Sequence, residues 1–156
     1  RRMYEGIVAS EASQQPEPIQ SVDWRQTTIS PRVRPVPSVE TLGATVGGLV
    51  AESVGQILRA YWQSWQQRQE PLALSCLRLN EFSLLHLPAE LFVEYQLRAQ
   101  ELRSGQPVLI AAYGDGGPWY IPTESEYPMG GYETVVAFSK PAIDQQVSAA
   151  IRRLLT

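Results

Sequence analysis

Phe82–Tyr113 reads FSLLHLPAELFVEYQLRAQELRSGQPVLIAAY, and this stretch decides the fold. Phe82–Leu87 and Val108–Tyr113 are apolar runs of strand length. Between them Leu91, Phe92, Tyr95, Ala99 and Leu102 recur at helical spacing. Pro88 suits the first turn of a helix, where a missing N–H costs nothing, and Gly105 ends it. A helix over 89–103 between two strands makes a strand–helix–strand unit, whose strands run parallel with a right-handed crossover in nearly all proteins. The expected fold class is α/β: a mixed sheet carrying this unit, with flanking helices, forming part of a domain.

Working outward, Leu72–Leu79 is a further apolar run, and Asn80-Glu81 joins it to Phe82–Leu87 as a hairpin. Ile19–Ile29 holds β-branched residues and Trp24, which predicts a strand. Ser30–Pro37 contains Pro31, Pro35 and Pro37, so it runs extended or turns. Ser38–Arg68 has helical character with Ser38 as N-cap, weakened in its first half by Gly43, Gly47, Gly48 and Gly55. Ile57, Leu58, Tyr61, Trp62 and Trp65 form a stripe in its second half that reads as core rather than a ligand box. Lys140–Leu155 closes the chain as an amphipathic helix, with Ile143, Val147, Ala150, Ile151 and Leu154 on one face. This helix and the one over Ser38–Arg68 are expected to cover one face of the sheet. Arg1–Ala12 reads as the tail of a helix and Ser13–Pro18 as a polar linker, so the natural beginning is expected upstream of Arg1. The division expected is a helical and linker region over 1–71 and a site-bearing α/β segment over 72–156.

Composition narrows the function classes. The chain has 156 residues, 44% hydrophobic and 19% charged, as in globular proteins. Thirteen basic residues stand against sixteen acidic ones. The arginine pairs are isolated rather than gathered in a stripe, which argues against nucleic acid as a partner. No apolar run reaches the roughly 18–20 residues that span a bilayer. One cysteine, Cys76, sits in an apolar run and reads as a buried structural thiol, so neither a disulfide framework nor a cysteine-based metal site is expected.

The strand–helix–strand unit brings Glu90 to the same sheet edge as the loop YGDGGPWYIPT, which follows the second strand. That edge is where α/β proteins assemble ligand sites. Two roles are open for Glu90: a cap in the first helical turn, where free N–H groups favour a carboxylate, or a ligand-binding group. The loop has three glycines within four residues and a proline before Trp119-Tyr120, which makes it a stiff wall rather than a passive turn. His86 lies in an apolar strand and reads as a satisfied core residue.

The pair LPAE and GDGGPWYIPTESEYPMGGYE resembles the neutral (non-lysosomal) ceramidase family and its bacterial ceramidase-like relatives, over Leu72–Thr134. The resemblance implies that this chain is the C-terminal part of a ceramidase-like catalytic domain, a zinc-dependent amidohydrolase acting on the N-acyl linkage of a lipid-like substrate. It implies that Glu90 and Tyr120 are zinc ligands, with two histidine ligands upstream of this chain. Asp115 stands at the family's asparagine, Thr123 at its second threonine, and Tyr132-Glu133 at its Tyr-Glu pair. With Trp119 these form the second-shell or substrate-binding set. Three departures are visible: Ala89 replaces a glycine, Gly117 the first tyrosine of Tyr-x-x-Tyr, and Asp115 the asparagine. The compartment is not set by the sequence, and the resemblance favours an extracytoplasmic or secreted protein.

Two other classes stay open. One is a binding module gripping a lipid or sugar with Trp119, Tyr127 and Tyr132. The other is a hydrolase with paired carboxylates, Glu90 with Asp115 or Glu133.

Overall fold

The structure is a computed structural model and describes residues 1–47, 51–114 and 117–156. Gly48 and Asp115 lie outside the described residues. The elements in chain order are α1 (Arg2–Ala12), β1 (Val22–Ile29), α2 (Val39–Val46), α3 (Ala51–Arg68), β2 (Leu72–Leu79), β3 (Phe82–His86), β4 (Glu90–Leu91), α4 (Val93–Leu102), β5 (Val108–Ala111), β6 (Tyr120–Ile121), a 3-10 turn (Glu124–Met129), α5 (Tyr132–Val136) and α6 (Ile143–Leu155). The fold is α/β, with a four-stranded mixed sheet in the order β1-β2-β3-β5 and a separate two-stranded pair, β4-β6.

The hairpin forms as expected: β2 and β3 pair antiparallel, and Asn80 takes the positive φ of 51° that the tight turn requires. The Asn80 side chain also accepts from the backbone N–H groups of Gln20 and Ser21, fixing the entry to β1. β3 and β5 pair parallel, from Ser83 opposite Val108 to His86 opposite Ala111. α4 is their crossover, and Gln96 clamps it to β5 by accepting from the Ile110 N–H and donating to the Val108 carbonyl.

The first helical turn is not where the proline predicted it. Helix α4 starts at Val93, after Phe92 in extended conformation, and Glu90-Leu91 form a strand instead. Glu90 therefore caps no helix. The N–H of Glu90 is taken by the Trp119 carbonyl at 2.7 Å, so β-pairing with the glycine loop outcompetes helical extension toward Pro88.

One face of the sheet is covered by α6 and α4. The five apolar α6 residues predicted from spacing are all buried. Arg25 and Arg78 reach from β1 and β2 to the last carbonyls of α6, at Leu154 and Leu155, where cations suit the helix dipole. The helices over 38–68 do not share this role. α2 and α3 pack on each other, where a Cβ at Gly55 would stand 2.5 Å from the Val39 carbonyl oxygen. Ser38 caps α2 as predicted, accepting from the Thr41 N–H. From the α3 stripe Leu58, Trp62 and Trp65 enter the core, whereas Ile57 is exposed and Tyr61 half-exposed. Trp62 donates to the Arg34 carbonyl at 3.1 Å and lies 4.8 Å from the Phe138 ring.

Cys76 is buried and unpaired, and burial raises its thiol pKa, as suits a structural residue. Helix α1 buries none of its residues. Among the described residues, no helix is long and apolar enough to cross a membrane.

Candidate functional site

The segment 87–90 and the loop after β5 are stitched together by backbone hydrogen bonds. Leu87 donates to Ala111, Tyr113 to Ala89, and Gly114 to Leu87, each near 3.0 Å. To close this junction, Ala89 and Tyr113 both adopt positive φ, at 65° and 61°. Such values cost a residue with a Cβ about 1–2 kcal/mol, and they cluster where function over-determines the backbone. The turn at Ala89 runs through left-handed space, which is a physical reason for glycine there. Gly117 has one too. Its φ is 131°, and a Cβ there would come within 2.9 Å of the Ala89 nitrogen. A tyrosine at 117 would not fit against this turn.

The stitching places Glu90 directly opposite Tyr120, as Cα partners in the parallel β4-β6 pair. The two residues singled out as metal ligands are thus brought side by side. They line a cavity of about 320 Å³ with Tyr61, Ala89, Tyr113, Gly117, Trp119 and Tyr132. Tyr132 meets Tyr120 edge to face, with ring centroids 5.8 Å apart. Trp119 stacks at 6.5 Å on Phe138, which anchors this wall to the core.

The electrostatics centre on Glu90. Burial and then hydrogen bonding to Glu90 push the Tyr120 phenol up to about 12. Hydrogen bonding to Glu90 also raises the pKa of Tyr113. Both phenols keep their protons at neutral pH beside the Glu90 carboxylate. Among the described residues, no Lys, Arg or His lines the cavity. The Glu90 carboxylate, walled by tyrosine and tryptophan faces, favours a cationic occupant.

The other predicted residues divide. Trp119 and Tyr132 line the cavity. Thr123 is buried outside its lining, with its hydroxyl 3.1 Å from that of Ser125. Glu133 is exposed on α5 and does not line the cavity, so the pairing of Glu90 with Glu133 is not formed. Tyr127 belongs to the scaffold: its hydroxyl bonds the Ser139 carbonyl at 3.0 Å, and the Arg34 guanidinium lies over its ring. His86 is not buried in the core. It stands on the sheet face away from α6, 5.7 Å from the Trp24 ring, and does not line the cavity.

Two lining residues escaped sequence reasoning. Tyr113 reads as the end of a strand, and Tyr61 as one member of a core stripe.

Zinc can be tested against this donor set. A carboxylate and a phenol are oxygen donors of the right chemistry and sit together. Among the described residues, no group of three or more His, Cys, Asp and Glu gathers to hold a metal. Catalytic zinc takes three protein ligands as a rule. Glu90 and Tyr120 alone leave the coordination shell of zinc incomplete.

No protein-family model matches the chain, and no curated protein gives a significant sequence match. Among solved structures, the chain is similar to the neutral ceramidase from Pseudomonas aeruginosa, with a TM-score of 0.57 and 20% identity over 94% of this chain and 30% of that one. A structure described as ceramidase complexed with C2 gives a TM-score of 0.48 and 22% identity over 55% of this chain and 14% of that one. The chain spans about a third or less of the length of these proteins. At this identity the likeness is one of fold: the described residues have the architecture of part of a neutral ceramidase.

Proposed function

We propose that this chain is the C-terminal part of a ceramidase-like catalytic domain, a zinc-dependent amidohydrolase that cleaves the N-acyl linkage of a lipid-like substrate. The observation that carries the proposal is the pairing of Glu90 with Tyr120 in the lining of an aromatic cavity. In this reading Glu90 and Tyr120 supply two oxygen ligands, and two histidines outside these residues complete the set. When bound, zinc polarises the amide carbonyl and lowers the pKa of its water.

The remaining roles follow from this chain's own atoms. Glu90 contributes a carboxylate beside the phenols of Tyr113 and Tyr120. Tyr120 holds its proton at neutral pH in this environment and gives it up only when a cation offsets Glu90. Trp119 and Tyr132 offer apolar faces to the acyl chain. An extracytoplasmic location accords with the same reading.

The aromatic lining also supports a second reading, a module that binds a lipid or sugar without chemistry. Hydrolysis assays on a series of N-acyl lipids, including N-acyl sphingosines, separate the two when run on the polypeptide that carries these residues natively. Glu90→Ala should abolish hydrolysis, Tyr120→Phe should reduce it at least tenfold, and a zinc chelator should match Glu90→Ala. Wild-type rates in folded Glu90→Ala would sink the zinc reading and leave the binding module.

A further inference from the structure

Among the described residues, Gln69, Asn80, Ala89 and Tyr113 stand at positive φ without being glycine. A bulky side chain there is an outlier, because its Cβ crowds the main chain. Three of these residues have a local account. Gln69 follows α3, and its N–H donates to the Trp65 carbonyl. Asn80 turns the β2-β3 hairpin, and its side chain bonds the backbone of Pro18, Gln20 and Ser21. Ala89 carries only a methyl group, and that is buried.

Tyr113 has no such account. Its N–H donates to the Ala89 carbonyl at 2.9 Å, a bond that glycine would make with less strain. Its ring is 66% exposed, so core burial does not offset the strain. Strain of this kind persists where a side chain is held for use rather than for stability. What the turn achieves is placement. Tyr113 lines the cavity with Glu90, Trp119, Tyr120 and Tyr132. Gly117, in the same lining, can carry no side chain, since a Cβ would come within 2.9 Å of the Ala89 nitrogen. Tyr113 is more exposed than Tyr61 or Tyr132, which puts it at the rim. Its phenol keeps its proton beside Glu90 and so can both donate and accept a hydrogen bond.

We propose that Tyr113 is a substrate-positioning residue: its ring and hydroxyl grip the polar junction of an N-acyl lipid at the cavity rim and set it against the Glu90–Tyr120 pair. The inference rests on the ceramidase-like reading above and adds a residue to it. An amide offers a carbonyl acceptor and an N–H donor, and a protonated phenol serves either. The flat ring covers the apolar carbons beside them. A grip made before the chemistry and kept through it shows in KM rather than in kcat.

Two variants of the polypeptide that carries these residues natively test it. The readouts are the melting temperature, steady-state hydrolysis of an N-acyl sphingosine, and binding of the same lipid to chelator-treated protein. Binding is read by anisotropy of a fluorophore on the acyl chain. Tyr113→Gly removes ring and strain together. Its melting temperature should hold or rise, while KM and the lipid Kd each rise about tenfold or more and kcat stays within about threefold. Tyr113→Phe keeps the ring and the strain, and should raise KM about threefold, the worth of one neutral hydrogen bond. Wild-type KM and Kd in Tyr113→Gly overturn the proposal. So does a loss confined to kcat, and so does a fall in melting temperature of more than about 4 °C, which makes Tyr113 a packing residue. A wild type that binds the lipid but never cleaves it, with weaker binding in Tyr113→Gly, keeps Tyr113 and discards the hydrolase. Full hydrolysis that is indifferent to residue 113 does the opposite.

Discussion

Phe138 and Glu90 are each surrounded by aromatic side chains, and the two clusters treat the same residue types in opposite ways. Around Phe138 stand Tyr61, Trp62 and Trp119, with Trp62 and Phe138 fully enclosed. The polar tip of Trp62 is satisfied by the Arg34 carbonyl, as that of buried Tyr95 is by Pro122. Around Glu90 stand Tyr113, Tyr120 and Tyr132, with Tyr113 66% exposed. These three rings line the cavity with the Glu90 carboxylate, which raises the pKa of the Tyr113 and Tyr120 phenols. Aromatic rings whose polar atoms close on main chain build the fold. Those gathered beside an acid line a cavity. Tyr61 and Trp119 belong to both clusters and transmit the rigidity of the first to the second.

The largest effect should come from breaking the enclosed cluster. Trp62→Ala leaves a cavity beside Phe138 and should cost about 3–5 kcal/mol, enough to unfold much of a marginal domain. Urea denaturation monitored by circular dichroism reads this. A loss under about 1 kcal/mol would mean that the Phe138 cluster is not the keystone described here.

Next comes Asp144, which ties α6 to the segment leading out of the site. Burial opposes its charge, but the Glu124 backbone N–H at 2.8 Å, Arg98 at 2.5 Å and Ser148 at 3.1 Å more than offset this and hold its pKa below the ordinary carboxylate range. Asp144→Asn should cost about 1.5–3 kcal/mol at neutral pH. As pH falls, the unfolded chain takes up its proton first. The contribution is therefore fully present above about pH 4 and is lost as pH drops through the lowered folded pKa. Melting curves of the two proteins should converge over that window. A constant gap down to pH 2 would contradict the assignment.

Ala89 sharpens the contrast from the site's side. Ala89→Gly removes a Cβ held at φ 65° and should raise stability by about 1 kcal/mol, with the Glu90–Tyr120 pairing intact. A lower melting temperature would place the strain elsewhere.

What the sequence disclosed follows from how each element announces itself. The β2-β3 hairpin and α6 were legible because their apolar residues repeat over several turns or rungs, with turn chemistry between them. The parallel pairing of β3 with β5 followed from the crossover rule. β4 and β6 are two residues each, too short to carry any period, so Glu90 looked like the opening of a helix behind Pro88. The Glu90–Tyr120 association came from a family resemblance, and the β4-β6 ladder supplies its geometry. Tyr113 was invisible because what makes it a site residue is a backbone dihedral angle, which no residue spacing reveals.

The central claim is that Glu90 and Tyr120 hold a metal in the complete protein. Zinc-edge anomalous diffraction from crystals of the full gene product grown with zinc tests it directly. The account predicts one strong peak within roughly 2.0–2.2 Å of a Glu90 carboxylate oxygen, beside the Tyr120 hydroxyl, and its loss in Glu90→Gln crystals. A peak at another site, or a Glu90–Tyr120 pair that stays free of metal at saturating zinc, would contradict it.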